Sequence, residues 1–294
     1  TSSKKFVQEI FNPKITQYTG KLIFDKSDNY YSFENSSDWL KRDYITFLKF
    51  NKNNENIWSK NYSLISENYQ YLSPRDLKIS DSGNIYALIH DSKTLRGYGY
   101  ENSILLSINS SGEINWKKEI KADNPWTYSG NGGNKEMAYA MSFAVDKNEN
   151  IFTFGNFMGT YQGNKTNEKF SSFLTKYDKN GNLVGSKILK GNSHVTSREI
   201  VISNDNYLYI NGRASGNIDG HSSLGGSDVF LAKYDLNLNQ EWLKILGTSK
   251  DDNTTKLGIN NNSNLYLLNY FGNNNALYKY SKDGDLSSFK SYNG

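Results

Sequence analysis

The sequence predicts an all-β chain folded as a β-propeller of five four-stranded blades, with an extra N-terminal strand closing the ring. Three observations lead there. First, a short phrase occurs five times: an Asx-rich turn, then Asn, an apolar residue, and an aromatic residue or Leu. The copies are Asn29-Tyr30-Tyr31, Asn84-Ile85-Tyr86, Asn150-Ile151-Phe152, Asn206-Tyr207-Leu208 and Asn264-Leu265-Tyr266, at spacings of 55, 66, 56 and 58 residues. A near-constant period of that size marks a repeat fold. Second, each period holds four short apolar-alternating segments and no helical periodicity, as in a blade. Third, the chain has only 3 prolines and is rich in Asn, Asp, Ser and Gly, so its turns rest on Asx and glycine chemistry. Its 22 tyrosines suit pleated, half-buried strand faces.

The elements follow in order within each period. The first strand is apolar alternation ending in a polar turn, as in Leu22-Ile23-Phe24, Leu77-Lys78-Ile79 and Ile200-Val201-Ile202. The Asn phrase opens the second strand, so the two form a hairpin. A third alternating strand follows, as in Tyr44 to Phe50, Ile104 to Ile108, Phe173 to Tyr177, Val229 to Tyr234 and Leu277 to Tyr280. After a short Asx or Gly turn comes the fourth strand. Eight positions beyond the end of each third strand lies one recurring slot, held by Trp58, Trp116, Gly185, Trp242 and Ser288. Tryptophan repeated at one slot points to packing between blades. The blades are expected at about 20–62, 75–120, 138–190, 197–247 and 255–294 of a single domain, with 1–19 as closing strand and linker. Phe6 to Phe11 has the pattern of an added fourth strand that would cover an open sheet edge. Leu286 to Tyr292 reads as the last blade's own fourth strand, so either that blade gains a strand or the chain is part of a longer propeller.

One copy carries a resemblance. Ser215-Gly216-Asn217-Ile218-Asp219-Gly220, then Gly225-Gly226-Ser227-Asp228-Val229-Phe230-Leu231-Ala232-Lys233-Tyr234-Asp235, then Trp242-Leu243-Lys244-Ile245-Leu246-Gly247-Thr248-Ser249-Lys250-Asp251-Asp252 resembles the bacterial SBBP-type β-propeller repeat. The match is close over 212–252 and moderate over Ser171 to Leu189. The resemblance implies a propeller, and a secreted or surface-attached bacterial protein. It implies no reaction.

Function is expected at one end of the barrel of blades. The first-to-second and third-to-fourth turns are short everywhere, while the other connections are long and differ from copy to copy. In a meander blade those long connections share one face, and irregular loops on a rigid scaffold are where binding is placed. They are expected at about 34–43, 90–103, 121–137, 156–171 and 212–227. Their candidate ligand contacts are Trp39, Arg96, Tyr98, Tyr100, Trp126, Tyr128, Tyr161 and His221. Aromatic rings of this kind stack on sugars or anchor a protein, or else fold back to plug the face. Asp123 to Asn134 is the strongest single segment. The expected partner is a glycan or a surface protein, bound by a non-catalytic extracellular adhesion module.

Other classes have less behind them. Net charge is +4 with no run of like charges, which argues against nucleic acid. No stretch is apolar enough to insert in a membrane. Zero cysteines exclude disulfides, thiolate zinc sites and thiol nucleophiles. His90, His194 and His221 lack metal spacing. Asp178-Lys179-Asn180-Gly181-Asn182 begins like a calcium loop but lacks the closing Glu, and Asn217 and Asp219 are a weak Ca²⁺ alternative, so no cofactor is expected. A glycoside-active enzyme would need paired carboxylates. Asp76 and Glu199, read as lying at strand starts, are the inner-strand acids. A structural spacer within a larger surface protein is the remaining alternative.

Overall fold

A computed structural model describes residues 21–35, 44–64, 70–95, 98–125, 136–166, 169–271 and 274–291. The expected closing strand Phe6 to Phe11 lies outside them. Among the described residues there is no helix. Strands β1 (Ile23–Phe24), β2 (Tyr30–Asn35), β3 (Tyr44–Phe50) and β4 (Asn56–Ser63) form the first sheet. The second holds β5 (Gln70–Ile79), β6 (Ile85–Leu95), β7 (Tyr98–Ile108) and β8 (Ile114–Ile120). The third holds β9 (Met137–Val145), β10 (Ile151–Met158), β13 (Ser171–Tyr177) and β14 (Leu183–Leu189), with a two-stranded ribbon of β11 (Thr160–Tyr161) and β12 (Asn164–Lys165) between its middle strands. The fourth holds β15 (Val195–Ile202), β16 (Tyr207–Ala214), β17 (Asp228–Asp235) and β18 (Gln240–Leu246). The fifth holds β19 (Asp252–Ile259), β20 (Leu265–Phe271), β21 (Asn274–Tyr280) and β22 (Leu286–Ser291). Each sheet is an antiparallel meander in chain order.

The ten short turns share one five-residue design. In the turn Asp146 to Asn150, Asp146 N–H bonds the Asn150 carbonyl, Glu149 N–H bonds the Asp146 carbonyl, and Asp146 Oδ1 accepts from the N–H groups of Asn148 and Asn150. The same pattern holds at Asp25, Asn51, Asn109, Asp178, Asp235 and Asn260, where an Asx side chain organises the loop. The fourth residue of every turn has positive φ, from 57° at Ser263 to 88° at Gly83. This geometry corrects the repeat phrase in one copy. The fourth sheet's turn runs Ser203 to Tyr207, so Asn206 (φ 63°) is a turn residue and Tyr207 stands where the other copies have Asn.

The core lies between sheets. Four clusters of buried apolar residues each join one sheet to the next: Phe33, Phe47 and Leu77 between first and second, Tyr86, Phe143 and Phe173 between second and third, Phe154, Ile210 and Phe230 between third and fourth, and Tyr209, Leu231 and Leu265 between fourth and fifth. The tryptophan slot belongs to this stacking. Every fourth strand carries a bulge just before the slot, and where the slot is Trp58, Trp116 or Trp242 the indole meets a turn of the following sheet. Trp58 Nε1 donates to the Ser110 carbonyl at 3.2 Å, and Trp116 Nε1 to the Lys179 carbonyl at 2.8 Å, both in the next sheet's turn. The rings lie over that turn's fourth residue. A Cβ on Gly181 would sit 2.8 Å from the Trp116 ring, and one on Gly284 would sit 2.9 Å from Trp242. Where the slot is Gly185, the next turn has Leu238 (φ 67°) in place of glycine, buried in the intervening core. The missing indole and the extra Leu side chain exchange places across one interface.

Candidate functional site

The candidate regions are two: the end bearing the long connections, and a cavity lined by the first strands.

At the long-connection end, Trp39, Arg96, Trp126 and Tyr128 lie outside the described residues. Tyr98 and Tyr100 fall in β7, because the stretch 90–103 is not the long loop expected from sequence. β6 and β7 run on to 11 residues each and pair from Ile85↔Ile108 out to Leu95↔Tyr98. The alternation of the strands continues through the segment, so its polar composition concealed its pairing. Tyr161 is not a surface contact either. It is 3% exposed, with its ring 4.5 Å from Phe173 and 5.6 Å from Phe157. It caps the core between the second and third sheets, the plugging role open to a loop aromatic. His221 is half-buried in the fourth sheet's loop, with Nδ1 3.1 Å from the Asp219 carbonyl. His90 is buried in β6 with Nε2 2.7 Å from the Ala140 carbonyl, so these two histidines serve different local structures.

The stretch leading to Trp126 is pinned at both ends to the β11–β12 ribbon. Asp123 accepts from the Gln162 and Gly163 N–H groups at 2.9 and 2.8 Å, and donates its own N–H to the Thr160 carbonyl. Glu136 Oε2 accepts from Thr160 N–H at 3.0 Å. In the fourth sheet, Asn217 accepts from Ser223 N–H and Asp219 from Lys190 N–H, so these oxygens fold the loop. Among the described residues no cluster of three or more His, Cys, Asp or Glu side chains is placed to hold a metal ion.

The cavity, of about 440 Å³, is lined by residues in or beside the first strand of every sheet. Lys21, Asp76, Ser142, Glu199 and Lys256 occupy one equivalent position, each four residues ahead of its sheet's first turn. Asp76 and Glu199 are therefore mid-strand, not at strand starts. In β5, β9, β15 and β19 the preceding residue is a bulge with no partner on the second strand: Arg75, Met141, Arg198 and Thr255. A regular strand sends successive side chains to opposite faces. The bulge suspends that alternation, so two consecutive residues of each strand face the cavity.

Charge around this ring is paired in part. Asp76, 5% exposed, takes Lys21 Nζ at 2.6 Å and Lys78 Nζ at 3.2 Å. Glu199 takes Lys256 Nζ at 2.5 Å and the Ser142 hydroxyl at 3.4 Å. Burial alone would lower both lysine pKa values. At Lys21 the charge and hydrogen bond of Asp76 outweigh it, and the ammonium is held above its ordinary value. At the more deeply buried Lys78 desolvation wins over Asp76, and the repulsion of Lys21 adds to it, so its pKa falls. Arg75 and Arg198 form no ion pair with a described residue. Among the described residues Arg75 makes one side-chain contact, to the Met141 sulfur at 3.8 Å, while its charge also acts on Glu101 and His90, and the buried Arg198 Nε has no hydrogen-bond acceptor.

Of these residues, sequence alone points to Asp76 and Glu199 as inner-strand acids, without joining them as a pair. The signal available was positional, a fixed offset from each first turn, and it links residues of unlike chemistry that no motif would join.

No protein-family model matches the chain, and no curated protein sequence matches it. Solved structures do resemble it. Cobalt-substituted apocarotenoid oxygenase from Synechocystis aligns over 94% of this chain and 61% of its own length, at 12% identity and a TM-score of 0.52. A protein from Lactobacillus plantarum aligns over 92% and 69% respectively, at 12% identity and a TM-score of 0.48. Polysaccharide lyase Uly1 aligns over 93% and 57%, at 13% identity and a TM-score of 0.48. The chain thus spans less than two thirds of the oxygenase. At such identity the likeness concerns fold alone: an all-β, β-propeller-like set of four-stranded antiparallel sheets.

Proposed function

We propose that the five sheets are the blades of a closed five-bladed propeller of the SBBP-repeat kind, and that the protein is a non-catalytic extracellular adhesion module. Its ligand, a glycan or a surface protein, would meet the long-connection face. The observation that carries this reading is that the described residues flanking 126–135, Asp123 and Glu136, both bond one ribbon. Ten near-identical turns occupy the opposite face. A recognition loop needs such fixed ends, since ordering a free loop on binding costs affinity. Among the described residues the fifth sheet is left uncovered, and a closed ring would have to cover it. All six residues of β22 are exposed, whereas β4, β8, β14 and β18 are partly covered by the next sheet. The segment Phe6 to Phe11 and the first sheet would supply that cover.

Glycan and surface-protein arrays test the function directly. A specific ligand is expected, and Trp126→Ala should weaken it at least tenfold. Absence of any ligand on both arrays would overturn the reading.

A second reading is glycoside cleavage, favoured by Asp76 and Glu199 lining one cavity. Retaining and inverting mechanisms need one carboxyl group that donates a proton. Both carboxylates here are instead engaged by lysine, which supports binding over hydrolysis. Release of reducing ends that is lost in Asp76→Asn and Glu199→Gln would reverse that preference.

A further inference from the structure

The geometry points to a second binding site, separate from the long-connection face: the central cavity takes an oxyanion-bearing ligand, a carboxylate, sulfate or phosphate, between Arg75 and Arg198. Four cationic side chains line the cavity, Lys21, Arg75, Arg198 and Lys256, against the two carboxylates of Asp76 and Glu199. The carboxylates are already engaged, Asp76 by Lys21 and Lys78 and Glu199 by Lys256. The surplus positive charge therefore resides chiefly on the two arginines: neither forms an ion pair with a described residue, and Arg75 is near enough to the half-buried Glu101 to act on its carboxylate, which leaves Arg198 the less compensated of the two.

Three features distinguish this from cations merely scattered over a surface. Both arginines stand at the same bulge position, on the second and fourth sheets, with Met141 of the third sheet between them. A bulge is a device for re-aiming a side chain, and here it adds an inward guanidinium to a strand that would otherwise present one residue. The second feature is the orphaned donor. Arg198 Nε is buried and unbonded, and a buried N–H without an acceptor is costly unless a ligand or water completes it. The third is the enclosure. A cavity of about 440 Å³ is of the size that holds a small organic ligand. It is recessed among five first strands, which suits a compact anion and excludes a duplex or a membrane surface. Guanidinium groups match oxyanions through paired N–H donors, whereas a lysine supplies a point charge. Arginine at the two unpaired positions, with lysine at the paired ones, fits that division.

The test uses the whole chain at low ionic strength, titrated separately with glucuronate, inorganic sulfate and inorganic phosphate. The chain has only three methionines, so ¹³C-methyl spectra give few signals, and Met141 lies against Arg75. Saturable shifts of the Met141 methyl with at least one probe are expected, and the responding probe tells carboxylate from sulfate from phosphate chemistry. Calorimetry should find about 10- to 100-fold weaker binding in Arg198→Met. Arg75→Lys and Arg198→Lys, which keep the charge and lose the fork, should weaken it as well. Lys187→Ala, on the exposed face of β14, should leave it unchanged. No Met141 response to any probe at millimolar concentration would overturn the proposal, and so would equal weakening by Lys187→Ala. Neither result bears on the long-connection face, which is read by the arrays.

Discussion

His90 shows how far one side chain's chemistry is set by its surroundings. Its ring is 7% exposed, Nε2 must carry the proton it donates to the Ala140 carbonyl, and Tyr139 meets it edge-on at 5.6 Å. Burial first, then the charge of Arg75, push its pKa down to about 4, with the Ala140 acceptor only partly offsetting them. In the unfolded chain the ring titrates near about 6.5. The folded state therefore binds fewer protons between those values. Stability is full above about pH 6.5, falls as pH drops, and levels off near pH 4, a loss on the order of 3 kcal/mol. Urea midpoints at pH 7.5 and 4.5 should separate accordingly, and His90→Gln should show a smaller separation. An unchanged separation in the variant would assign the effect elsewhere. Gly181 makes a second residue-scale case. Its φ of 80° and the Trp116 ring leave no room for a methyl group. Gly181→Ala should cost about 2 kcal/mol, from left-handed backbone strain and displacement of the indole, read as a lowered midpoint of thermal or urea unfolding.

At the scale of elements, the interface between the third and fourth sheets has solved the tryptophan problem in reverse. Gly185 places no side chain where an indole stands at the other interfaces, and Leu238 reaches into the core from a backbone conformation that leucine seldom adopts. Gly185→Trp alone should destabilise by overpacking against Leu238, and Leu238→Gly alone by opening a cavity. The double variant should be better than their sum by about 1 kcal/mol or more, the coupling expected of neighbours in one packing unit. Strict additivity would show that the two sites are independent. This interface also explains what was legible in sequence. Gly185 stood out as a departure from the Trp slot, and the spacing placed it correctly, but its counterpart Leu238 lies in a turn whose left-handed position usually announces itself as Gly or Asn. The strands and turns were legible because alternation and Asx chemistry are local. The cavity was not, since Arg75, Met141, Arg198 and Thr255 share a bulge and no residue type. Likewise Tyr161 reads as loop from its neighbours, while its burial depends on Phe157 and Phe173.

For the whole molecule, stability is distributed along a series of interfaces. Among the described residues, the three clusters joining the first four sheets contain 13, 13 and 16 buried apolar residues, and the cluster joining fourth to fifth contains 7. In a stacked repeat each unit is held by its neighbours, so the least covered unit opens first. Hydrogen exchange should accordingly be fastest in β21 and β22 and slowest in β10, β13, β16 and β17. Protection of the fifth sheet equal to that of the third would contradict this ordering. The stacking also has a direction. Each slot tryptophan reaches forward, from the fourth strand of one sheet to a turn in the next, as Trp58 does to Ser110 and Trp116 to Lys179. A chain emerging from the ribosome therefore completes the first, second and fourth sheets with the slot indole still bare, and covers it only when the next third strand and its turn have been made. Synthesis adds the binding partner of every sheet in the order in which it is needed, leaving a single uncovered ring at the growing end.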